Sequence, residues 1–87
     1  MRCKRLHMLE TLTMIQKALQ DEEMTCTIDK IKNSIAHAAP EILNRQWMKI
    51  YTFCVQHVND KNNVRHQQCF GIYQKRFIEY ESFFIES

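Results

Sequence analysis

Cys54 to Cys69 reads "CVQHVNDKNNVRHQQC", and this stretch decides how the chain turns. On each side of a polar centre, a Cys and a His stand three residues apart. The centre, "NDKNN" at 59–63, is rich in Asn and Asp, which favour caps and turns over helix interiors. Residues three apart share one face of a helix. Two helices folding back about residues 61–62 therefore set His57 opposite His66 and Cys54 opposite Cys69.

Working outward, the hydrophobic spacing predicts four helices. Over roughly 4–20, Met8, Leu12, Ile15 and Leu19 repeat at four, three, four, the apolar stripe of a helix. The acids of "DEEMTC" oppose the negative end of a helix dipole, so this segment ends by Gln20. A second helix is expected over roughly 27–39, capped by Thr25 or Thr27, with Ile28, Ile31, Ile35 and Ala38 inward. Pro40 pushes the preceding residue out of the α region and suits the first turn of a third helix, over roughly 40–58. Leu43, Trp47, Ile50 and Cys54 make its seam, with Trp47 buried near its centre. The fourth, over roughly 63–85, repeats His66, Phe70, Tyr73, Phe77, Tyr80 and Phe84. Gly71 inside it predicts a bend or the close approach of another backbone. Short links between such segments give an all-α, up-down bundle of about four helices, one domain spanning 1–87.

Composition agrees. The 87 residues are 45% hydrophobic and 25% charged, with one Gly and one Pro. That is a globular composition, and it lacks the turn residues of a β-sandwich or barrel. A single Gly excludes a glycine-rich phosphate loop. Net charge is +2 and the basic residues are scattered, so no strong nucleic-acid footprint exists. The opening "MRCKRLHMLETL" has no continuous apolar run behind its basic residues. No signal peptide, no membrane span and an intracellular, cytoplasmic or nuclear setting with free thiols are expected.

Three readings compete for Cys54, His57, His66 and Cys69. As a Cys₂His₂ set they are candidate zinc ligands. As a Cys54–Cys69 pair they are a candidate disulfide. As seam residues, Cys is a small hydrophobe and no cofactor is needed. Gln56, Gln67 and Gln68 between them belong to an ordinary helix surface, so packing without metal is the expectation. Elsewhere the candidates are weaker. Cys3 and His7 stand four apart near the terminus. Cys26 is expected in a loop, and partnership with His37 as base needs tertiary contact. The "DEE" at 21–23 reads as a solvated turn.

Residues 28–56, "IDKIKNSIAHAAPEILNRQWMKIYTFCVQ", resemble the C-terminal helical tail of mariner-type transposases. The features that carry this are the Ile31/Ile35 spacing, "PEILNRQW" at 40–47, and Cys54 seven residues after Trp47. The resemblance implies a tail that packs on a catalytic core. Nothing here carries over the family's three catalytic carboxylates. "VNDKNNVRHQQ" also departs from the Gly-His ending of such tails, and the aromatic fourth helix has no counterpart in them.

One helical stripe cannot turn both Phe83 and Phe84 inward. Phe77, Tyr80, Phe83 and Phe84 are therefore the expected contact surface for a protein partner or a second copy of the chain. The expected function is a non-enzymatic interaction module. The alternatives are a zinc-stapled hairpin that positions a nucleic-acid or protein contact, and a non-catalytic transposase-tail remnant.

Overall fold

A computed structural model describes residues 3–59 and 64–86, with side chains described as far as Glu81. Helices α1 (Lys4–Leu19), α2 (Glu22–His37), α3 (Leu43–Val58) and α4 (Val64–Glu86) follow in order, with a 3₁₀ turn at Pro40–Ile42 before α3. Among the described residues there is no strand. Each helix runs antiparallel to its neighbours, as the cross-helix hydrogen bonds show. Arg5 near the start of α1 donates to the Ile35 carbonyl near the end of α2. Ser34 of α2 donates to Gln46 of α3, and Tyr80 of α4 donates to Asn44 of α3. Arg65 of α4 donates to the Leu19 carbonyl at the end of α1. The result is an up-down bundle in which α1 and α4 form the most extensive pair and α4 lies between α1 and α3.

The local chemistry explains most boundaries. α1 stops at Gln20, whose backbone is left-handed (φ 50°, ψ 42°) and whose N–H bonds the Gln16 carbonyl. The next residue, Asp21, caps α2 by accepting a hydrogen bond from the Met24 N–H, and Glu22 and Glu23 occupy the first turn, where acids favour the helix dipole. The second helix thus begins five residues earlier than the spacing predicts. The "DEE" triplet is a helix start rather than a turn, Thr25 and Thr27 are interior, and Cys26 lies on the helix rather than in a loop. The acids that end one helix begin the next. Ala38 and Ala39 are extended before Pro40, as pre-proline sterics require.

The core joins Met8, Leu12, Ile15 and Leu19 of α1 to Ile28 and Ile35 of α2, with Trp47 and Ile50 of α3. Trp47 is 2% exposed. On α4 the buried row is His66, Cys69, Tyr73, Arg76 and Tyr80, while Phe70 and Phe77 are only partly covered. The helix is rotated toward α1 relative to the purely hydrophobic reading. Among the described residues a Cβ added at Gly71 meets nothing within 4 Å, and none of their backbone approaches there. No helix among the described residues is long and apolar enough to cross a membrane.

Candidate functional site

Between α3 and α4, on the outer face, lies a groove of about 700 Å³. Met48 and Tyr51 line it from α3; Phe70, Tyr73, Gln74, Phe77 and Ile78 line it from α4. None of these side chains is charged. Its floor is aromatic: Tyr73 lies 5.0 Å from Trp47 and 5.8 Å from Phe77 between ring centroids. Tyr51 forms a wall, with centroids 6.1 Å from Phe70 and 5.5 Å from Tyr73. Met48 is 55% exposed and Ile78 is 69% exposed. Burial, with smaller contributions from Cys54 and Tyr51, holds the Tyr73 phenol above its ordinary range, so it is neutral. The Tyr73 and Phe77 rings pack against Trp47. The exposed aliphatic side chains stand above them.

Of the four aromatic residues expected at a contact surface, Phe77 stands in this groove, partly buried. Tyr80 is a core residue, 4% exposed, stacked on Trp47 at 4.8 Å. Its hydroxyl donates to Asn44 Oδ1 at 2.6 Å. Phe83 and Phe84 lie outside the described side chains. Spacing alone missed Met48, Tyr51 and Ile78, because the groove forms only when two helices come together. The one available signal was that all three fall off their helices' apolar stripe.

The hairpin residues meet as the opening stretch implies. Cys54 Sγ and Cys69 Sγ are 3.2 Å apart, both fully buried. His57 and His66 follow at the end nearer the chain turn, with ring centroids 4.8 Å apart. Among the described residues, no group of three or more His, Cys, Asp or Glu side chains is set to hold a metal ion. Cys26 and His37 stand eleven residues apart on the same helix, about 16 Å along its axis, and both are exposed. Cys3 is exposed at the α1 N-terminus, while His7 is fully buried.

His7 belongs to a polar cluster inside the α1–α4 interface that hydrophobic spacing did not reveal. Arg76, 8% exposed, donates from Nη2 to His7 Nδ1 and to Glu10, each at 3.0 Å. Its Nε donates to Thr11 Oγ1 at 3.2 Å and its Nη1 to Glu79 at 3.0 Å. A guanidinium only donates, so His7 Nδ1 accepts. His7 Nε2 then carries the ring proton and donates to the Arg76 carbonyl at 2.9 Å. Every partner of this arginine is supplied within the bundle, which marks the cluster as an internal clamp.

Comparison with protein-family models, with curated proteins and with solved structures finds no match. The resemblance of residues 28–56 to transposase tails therefore rests on the sequence alone.

Proposed function

We propose that this protein is a non-enzymatic interaction module that receives an amphipathic helix, from a protein partner or a second copy of itself, in the groove between α3 and α4. The observation that carries this reading is an uncharged aromatic groove topped by exposed Met48 and Ile78. Contiguous exposed apolar surface of this kind marks contact sites, and Tyr, Phe and Met are the residues that contacts favour. From Phe70 to Ile78 the groove runs about 12 Å along α4, the span of two turns of a partner helix with anchors at i, i+3 or i+4, and i+7. Among the described residues its polar side chains are Gln74 and two tyrosines, and none is charged.

The test measures sedimentation of the full chain from micromolar to millimolar concentration, alongside selection from a library of helical peptides. Ile78→Lys is the decisive variant, since a substitution at so exposed a site alters stability by only about 0.5 kcal/mol. The expected result is self-association, or binding of a selected peptide, that weakens at least tenfold in Ile78→Lys with an unchanged melting temperature. A chain that stays monomeric throughout and binds no peptide in an Ile78-dependent way overturns the reading.

A further inference from the structure

One turn from the groove, deeper in the same seam, two thiols touch and take no part in the proposed contact. We infer that Cys54 and Cys69 are a dithiol that closes to an intrachain disulfide, joining α3 to α4, when the chain meets a low-molecular-weight disulfide oxidant. The geometry is favourable at both levels. The sulfurs lie 3.2 Å apart, so bonding at about 2.05 Å asks for an approach of about 1 Å, within reach of small χ1 adjustments. Facing Cα atoms of helices packed about 8–10 Å apart, each on a cylinder of about 2.3 Å radius, stand roughly 3.4–5.4 Å from one another. That overlaps the span a disulfide bridges. The two residues are fifteen positions apart on helices that already run antiparallel, so the bridge follows the existing fold.

The electron balance is simple. One cysteine thiolate attacks a sulfur of glutathione disulfide, forming a mixed disulfide and releasing one glutathione thiolate. The second cysteine sulfur attacks the first, and the second glutathione leaves. Two electrons pass from the protein sulfurs to the oxidant, and the two thiol protons end on the released glutathione.

Burial sets the pace. Neither sulfur reaches solvent, and the hydrogen bond with Cys69, together with desolvation, pushes the Cys54 thiol well above its ordinary value. Closure therefore waits on a local opening of the α3–α4 seam. Once formed, the bridge is reduced only as fast as the same seam opens. The exposed Cys3 and Cys26 react faster but have no near thiol partner within the chain.

The test uses the full chain with Cys3→Ser and Cys26→Ser, so that only the buried pair is counted. The reduced protein is equilibrated in a glutathione redox buffer without denaturant. The expected product is a monomer lighter by two hydrogen atoms, with no free thiol. Its proteolytic map should join the Cys54 and Cys69 peptides. Its melting temperature should rise by about 10 °C or more, and reductant should reverse the rise. In the same background, Cys54→Ser and Cys69→Ala abolish the mass change. Should either variant fail to fold, the thiol count and peptide map of the parent still decide. Thiols that stay free at equilibrium, glutathione adducts without the cross-link, or a bridge that forms only in denaturant each overturn the inference.

Discussion

Arg76 shows how one residue sets the interior of this bundle. It uses its donors on Thr11, His7, Glu10 and Glu79, so its charge is matched although it sits in the α1–α4 interface. Arg76→Met removes the donor to His7 Nδ1 and the ion pairs with Glu10 and Glu79. The acids are 38% and 40% exposed and rehydrate, which brings the cost below that of breaking a fully buried pair. The expected loss is about 2–3 kcal/mol in urea unfolding. Adding His7→Leu should recover part of it, because removing both partners of a buried polar contact costs less than orphaning one. A single variant that unfolds at the parental midpoint would show that Arg76 is a surface residue. Trp47 is the apolar counterpart. It stacks on Tyr80 and Phe77, and its Nε1 is buried with no hydrogen-bond partner among the described residues. Trp47→Ala should cost about 3–5 kcal/mol, enough to leave so small a domain largely unfolded by circular dichroism at room temperature. A melting temperature within a few degrees of the parent would contradict its core role. Trp47 was legible from its place in the α3 seam. Arg76 was not, since hydrophobic spacing assigns every arginine to solvent and cannot see that α1 supplies its partners.

Elements carry a different lesson. The existence of all four helices was written in the spacing of Leu, Ile and aromatic residues, and the ends of α1 and α3 fell close to expectation. The start of α2 did not, because a cap and a stop look alike in one dimension. Asp21 accepts from Met24 N–H, and that single bond converts an acidic breaker into a helix start. The face of α4 was read in part: His66, Tyr73 and Tyr80 are buried as expected, while Phe70 and Phe77 are only partly covered. Lying between two helices, it buries a wider arc than an edge helix does, and Cys69 and Arg76 share that arc with the aromatic residues. The groove was half legible, from the aromatic load of α4, while its α3 wall required the pairing itself. Gly71 gives a clean test at this scale. It is exposed in the interior of α4, with open space where a Cβ would stand. Gly71→Ala should therefore stabilise the protein by about 0.5–1 kcal/mol, by lowering the backbone entropy of the unfolded chain. Thermal melts of the two proteins settle it. A destabilised variant would mean that α4 relies on the freedom of glycine.

At the scale of the whole molecule, the bundle keeps several weak acids neutral, and this sets its response to alkali. Burial pushes the Tyr80 phenol up to about 12 and lifts Tyr73 further still. The Cys54 thiol is raised by its bond to Cys69 and by burial. Each of these groups binds its proton more tightly in the folded chain than in the unfolded one. Their contribution to stability is complete below the unfolded values, about 8.5 for a thiol and about 10 for a phenol, and is lost as pH climbs toward the folded values. These groups should therefore take nothing from the urea midpoint of the reduced protein up to about pH 8. The midpoint should weaken above about pH 8.5–9 as unfolded thiols ionise, and fall more steeply above about pH 10 as unfolded phenols follow. The stabilisation that Tyr80 gives by staying protonated is among the contributions lost as pH climbs from about 10 toward 12. Tyr80→Phe should lose about 1 kcal/mol at neutral pH with the Asn44 hydrogen bond, yet show a shallower decline above pH 10. Phenolate absorbance recorded beside the unfolding curves identifies the groups responsible. A midpoint that stays level to pH 11, with Tyr73 and Tyr80 themselves giving phenolate near pH 10 in the folded protein, would mean that water reaches these rings and that α3 and α4 pack less closely than the structure shows.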